Sequence, residues 1–100
     1  MILIQAEIKR YFDKTNGNSY FTARATKHGP EANTEPETCI AQYDYGYGSH
    51  PEFELCKVMK DAGWLPKGEH KGLRLAVEDD NGFRLILTDY GYGKKRDCKF

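Results

Sequence analysis

The chain has no surplus of charge. Fifteen Lys and Arg stand against fifteen Asp and Glu, a formal net charge of zero at pH 7. That argues against a generally basic nucleic-acid binder, whose affinity would come from counterion release by excess cations. Cysteine is scarce and odd in number: Cys39, Cys56 and Cys98 are widely spaced and form no C-x2-C pair. A secreted disulfide framework would want an even, denser set, so a reducing compartment is expected. No stretch approaches the roughly 18 consecutive apolar residues of a membrane-spanning helix, and no role for a membrane is expected. Met1 runs straight into the alternating segment Ile2-Leu3-Ile4-Gln5-Ala6-Glu7-Ile8, which is not the basic-then-apolar pattern of a signal peptide. Neither a P-loop nor a nucleophile elbow occurs.

What is present suits one compact domain, residues 1–100, with 94–100 expected as a mobile basic tail. Hydrophobic residues make up 39% and aromatic residues 13%, enough to exclude a disordered chain; seven of the aromatics are tyrosine. Charge is balanced between the halves: five Lys/Arg and six Asp/Glu in residues 1–50, ten and nine in residues 51–100.

The periodicity predicts an α+β fold. Ile2, Ile4, Ala6, Ile8 and Phe12 share one parity, and Phe21, Ala23 and Ala25 share another, on either side of Asn16-Gly17. This is a hairpin pattern. Residues 38–45 read as a third strand, with Cys39, Ala41 and Tyr43 on one side. Ser49 as N-cap, Pro51 and Glu52 then predict a helix start with a capping box. A buried stripe of Leu55, Val58, Met59 and Ala62 is expected, with Gly63 as the stop. Leu73, Leu75 and Val77 alternate into Asn81-Gly82, and Phe83, Leu85 and Leu87 alternate out, which predicts a second hairpin. The expected architecture is an antiparallel sheet of about five strands, βββ-α-ββ, with one helix packed on one face.

One short repeat stands out. Asp44-Tyr45-Gly46-Tyr47-Gly48 recurs as Asp89-Tyr90-Gly91-Tyr92-Gly93, and the two copies hold four of the ten glycines and four of the seven tyrosines. The first copy, continued through Ser49 and His50, could hold a nucleotide or another phosphorylated ligand. Its glycines admit close backbone approach, the helix start offers unpaired N–H donors, and Tyr45 or Tyr47 could stack on a base, with Tyr43 just before them a further candidate contact residue. The same residues would equally serve a plain strand-to-helix turn. The second copy leads into Lys94-Lys95-Arg96, interleaving Tyr90 and Tyr92 with cations as single-stranded nucleic-acid binders do. His28, His50 and His70 with the three cysteines show no zinc-ligand spacing, so no metal is expected, and no cofactor is implied. Seven tyrosines are too many for so small a core, because each buried hydroxyl needs a partner. Several should therefore be exposed and available for a protein contact. An edge strand could also pair with a second copy as a homodimer.

Two segments carry a resemblance. Arg10-Tyr11-Phe12-Asp13-Lys14-Thr15-Asn16-Gly17-Asn18-Ser19-Tyr20-Phe21, and later Gln42-Tyr43-Asp44-Tyr45-Gly46-Tyr47-Gly48-Ser49-His50, resemble short uncharacterised proteins of bacteriophages and prophages. Those proteins carry a Phe-Asp-Lys-x-x-Gly-Asn-Ser/Thr-Tyr turn and a Gln-Tyr-Gly-Tyr-Gly segment before a helix. The resemblance implies a phage accessory protein in the cytoplasm of an infected bacterial host. The leading expectation is accordingly a non-enzymatic protein that binds and inhibits a host or anti-phage defence protein, for example CRISPR machinery. Binding of a phosphorylated ligand at residues 45–50 and of single-stranded nucleic acid at residues 90–96 are the alternatives.

Overall fold

A computed structural model describes residues 2–29, 35–66 and 72–100. Four strands form one mixed sheet: β1 (Leu3–Asp13), β2 (Asn18–His28), β3 (Glu37–Tyr45) and β4 (Arg84–Gly93), in the order β3-β2-β1-β4. The first hairpin forms as its sequence predicts. Ala6 pairs with Ala25 and Ile8 with Ala23. Gly17 takes the left-handed conformation at φ +70°, and its N–H closes the turn on the Asp13 carbonyl at 2.8 Å.

The inner face of the sheet carries Ile4, Ala6, Ile8, Phe21, Ala23, Ala25 and Ala41, all buried. Alanines sit side by side on β1, β2 and β3, and this low surface lets α1 (His50–Asp61) lie close across β2 and β3. The helix buries Pro51, Leu55, Cys56 and Met59. The buried stripe is therefore rotated from the expected one: Val58 is half-buried and Ala62 exposed, while Cys56 faces the core. Each fully buried Leu or Met contributes about 1.5–3 kcal/mol of transfer free energy. Gly63, at φ +80°, ends the helix as expected; the Trp64 N–H reaches back to the Met59 carbonyl at 2.9 Å, and Trp64 and Leu65 fold onto the core.

The second hairpin does not form. Residues 73–80 are helical, with a π-helical turn over Leu75–Asp80. The alternation of Leu73, Leu75 and Val77 fits a strand, but Leu73, Ala76 and Val77 also fit one face of a helix, and that face is the buried one while Leu75 is 45% exposed. Gly82, at φ +68°, ends this turn rather than a hairpin, with the Phe83 N–H on the Val77 carbonyl at 3.0 Å. Helix rather than strand precedes β4, and β4 runs parallel to β1, Leu3 beside Arg84 and Ala6 beside Leu87. The sheet thus has four strands and is mixed.

Residues 94–100, expected as a mobile tail, pack on the sheet's outer face through a 3₁₀ turn at Lys95–Asp97. Cys98 is buried, its thiol 3.4 Å from the Lys9 carbonyl, and the Phe100 ring lies 4.5 Å from Lys9 Nζ and 4.6 Å from the Arg24 guanidinium carbon.

Candidate functional site: an aromatic rim clamped by Arg10

β1, β3 and β4 run in the same direction, so both Asp-Tyr-Gly-Tyr-Gly copies emerge at one end of the sheet. Arg10 joins them. It occupies the inward parity of β1 after Ile4, Ala6 and Ile8, and is buried. Its Nε lies 3.1 and 3.0 Å from the two Asp89 carboxylate oxygens. Its Nη2 donates to Asp89 Oδ2 at 2.8 Å and to the Gly48 carbonyl at 2.9 Å. One guanidinium therefore holds the first residue of the second copy and the last residue of the first. The fork geometry suits it to this, and a lysine could not reproduce it.

Burial alone would push the Asp89 carboxyl up. The hydrogen bonds from Arg10, the Gly91 N–H at 2.9 Å and the Arg10 charge outweigh that and hold it below the usual carboxylate value. Its pKa is then lower folded than unfolded, so its stabilisation is complete above the unfolded value near 3.8 and fades as pH falls through the folded one. Urea melts should show stability dropping below about pH 4, with a smaller drop for Asp89→Asn. An equal drop in both proteins would mean that Arg10–Asp89 contributes nothing to acid sensitivity. Asp13, held down first by the Asn16 side chain, acts in the same direction in both.

Around Arg10 the tyrosines of both copies point outward. Tyr45 is 52%, Tyr47 68%, Tyr90 58% and Tyr92 56% exposed, and exposed Phe53 lines a cleft with Tyr45 and Tyr47. Tyr43 belongs elsewhere. A bulge opposite Thr22 reverses its parity from that of Ala41, and it stacks on Tyr20 at 5.3 Å on the outer face. Tyr11 continues this ladder at 6.3 Å, and Tyr45 meets Tyr20 edge-on at 6.0 Å. Two of the exposed aromatics, Tyr43 and Tyr45, are thereby held by cross-strand ring contacts to the half-buried Tyr20.

The start of α1 is a shallow cleft of about 310 Å³ lined by Tyr45, Gly46, Tyr47, Ser49, His50 and Phe53. The expected capping box is not made: Ser49 forms no side-chain cap bond. Gly46 is needed for close packing, since a Cβ there would lie 2.8 Å from the Phe21 ring and against the His50 ring. His50 packs edge-on against Phe21 at 5.6 Å, and its Nε2 lies 3.6 Å from Glu54. A nearby carboxylate offsets the charge that a phosphate would meet there.

Lys94, Lys95 and Arg96 are exposed on the tail. The cation over the Tyr90 ring is instead Lys9, its Nζ 6.0 Å from the ring centre. Burial pushes the thiols of Cys39, Cys56 and Cys98 up, which keeps them protonated near neutral pH. Among the described residues, no three His, Cys, Asp or Glu side chains come together as a metal site would need, and no helix is long and apolar enough to cross a membrane. His70 lies outside the described residues. Arg10 and Asp89 are the site residues that sequence reasoning missed. The signal for Arg10 was a lone cation on the apolar parity of β1. Comparison with known protein families, curated proteins and solved structures found no match to the chain.

Proposed function

We infer that this is a non-enzymatic binding protein whose contact surface is the aromatic rim around Arg10. The observation that carries this reading is the clamp itself: one buried guanidinium fixes two copies of a tyrosine-glycine segment so that their rings project from the same end of the sheet. Tyrosine gives large, rigid, amphipathic contact area at low entropic cost and is enriched in interface hot spots. A chain with no net charge has little long-range electrostatic attraction to offer, which favours recognition by shape and ring contact. The likeness of the first hairpin and the first Tyr-Gly segment to phage and prophage proteins supplies the setting. The proposed partner is a bacterial host or anti-phage defence protein, CRISPR machinery being one example, which the rim would bind and inhibit in the cytoplasm of the infected cell.

Affinity capture from bacterial lysate tests this. The protein should retain a specific partner, and Tyr45→Ala/Tyr47→Ala should lose at least about tenfold in recovery, as expected when hot-spot side chains are truncated. Ile40→Ala, on the outer face of β3, should retain it. Circular dichroism establishes that each variant is folded. Undiminished capture by the folded tyrosine variant would overturn the reading.

A further inference from the structure

The edges of the sheet are unequal. β3 carries the bulge opposite Thr22, a device that twists an edge away from further pairing. The first half of β4, Arg84-Leu85-Ile86-Leu87-Thr88, keeps regular register with β1, and its irregularity begins only beyond Asp89. It has no proline and no inward-pointing charge, and among the described residues no strand pairs with its far side.

Hydrogen-bond parity says which groups are free. The Arg84 N–H donates to the Ile2 carbonyl at 3.0 Å. In a parallel ladder both backbone groups of a residue point to the same neighbour, so Arg84, Ile86 and Thr88 bond to β1. Leu85 and Leu87 direct their N–H and C=O groups to the open edge.

We propose that two copies of this chain pair antiparallel through residues 84–88 of β4, with the twofold axis at Ile86, to form a continuous eight-stranded sheet. Leu85 of each copy exchanges both backbone hydrogen bonds with Leu87 of the other, and Ile86 faces Ile86 across a non-hydrogen-bonded position. The sequence of this segment fits that register. The row facing the core places leucine against leucine, and the outer row places isoleucine against isoleucine and Arg84 against Thr88, with no like charges opposed. Ile86 is 44% exposed in the single chain and gains a partner.

Both neighbouring registers fail. Sliding one way needs the Phe83 N–H, which is already committed to the Val77 carbonyl. Sliding the other way sets Leu85 opposite Asp89, whose carboxylate is held by Arg10 and beyond which β4 loses its regular register. Because the paired β4 strands run in opposite directions, the two aromatic rims lie at opposite ends of the dimer, which would give it two binding sites.

Sedimentation equilibrium over micromolar to submillimolar concentration should give twice the 11.5 kDa chain mass. Ile86→Lys sets two ammonium groups face to face on the axis and should weaken dimerisation by at least about tenfold, with an unchanged dichroism spectrum. Ile86→Cys should form an 86–86 disulfide under mild oxidation, because opposed Cα atoms at a non-hydrogen-bonded pair are within disulfide range. Ile40→Cys on β3 should not cross-link. A monomer at all concentrations, or a dimer that cross-links through residue 40 and not 86, would overturn the proposal.

Discussion

Replacing Arg10 by leucine should cost the fold about 2–3 kcal/mol, roughly a third of what holds a domain of this size together. The guanidinium is buried while the Asp89 side chain is 40% exposed, so the loss falls below that of a fully enclosed ion pair. Two groups are left without their donor: the Asp89 carboxylate and the Gly48 carbonyl. Arg10→Lys should recover only part of the loss, because an ammonium keeps the charge but cannot match the fork on Asp89. Arg10→Leu/Asp89→Leu should be less destabilised than the sum of the single changes, since no charge is then stranded. Urea denaturation of the four proteins measures this. Additive losses would show that the clamp is not a coupled unit.

Phe21→Ala should be the more damaging substitution, at about 3–5 kcal/mol. Phe21 is fully buried and supports the first repeat directly, under Gly46 and edge-on to His50. Deleting the ring opens a cavity below the start of α1, where the fully buried core beneath cannot all move in to fill it. Phe21→Leu, which keeps most of the volume, should lose markedly less. Thermal and denaturant melts of both variants check the order; equal losses would mean that ring shape, not volume, is what the site requires.

The first hairpin was legible because everything that specifies it is local: Asn16-Gly17, and alternation over the residues on each side. The segment 73–80 was not, because Leu73 and Val77 satisfy a period of two and a helical period alike. Burial of Ala76 and exposure of Leu75 decided it, and these depend on where the sheet lies. The parallel pairing of β4 with β1 leaves no local trace either. With residues 73–80 helical, no hairpin partner precedes β4, so reading that segment as a strand also gives the wrong strand count and direction.

At the site, the two Tyr-Gly segments could be read directly, since a repeat is a property of sequence. Their common anchor could not, for Arg10 reaches partners 38 and 79 residues away. Tyr43 was placed with Ala41 by alternation and removed from it by a single bulge. Ser49 and Glu52 have the spacing of a capping box, yet the Ser49 backbone is already in the helical region, at φ −89° and ψ 0°, and its side chain makes no cap.

Hydrogen exchange of the protein with and without its captured partner tests the rim most directly. Binding through the rim should slow exchange together at Gly46–Gly48 and at Gly91–Gly93, segments far apart in sequence and joined by Arg10. Slowing confined to the exposed face of α1 or to the outer face of the sheet, with both Tyr-Gly segments unchanged, would contradict it.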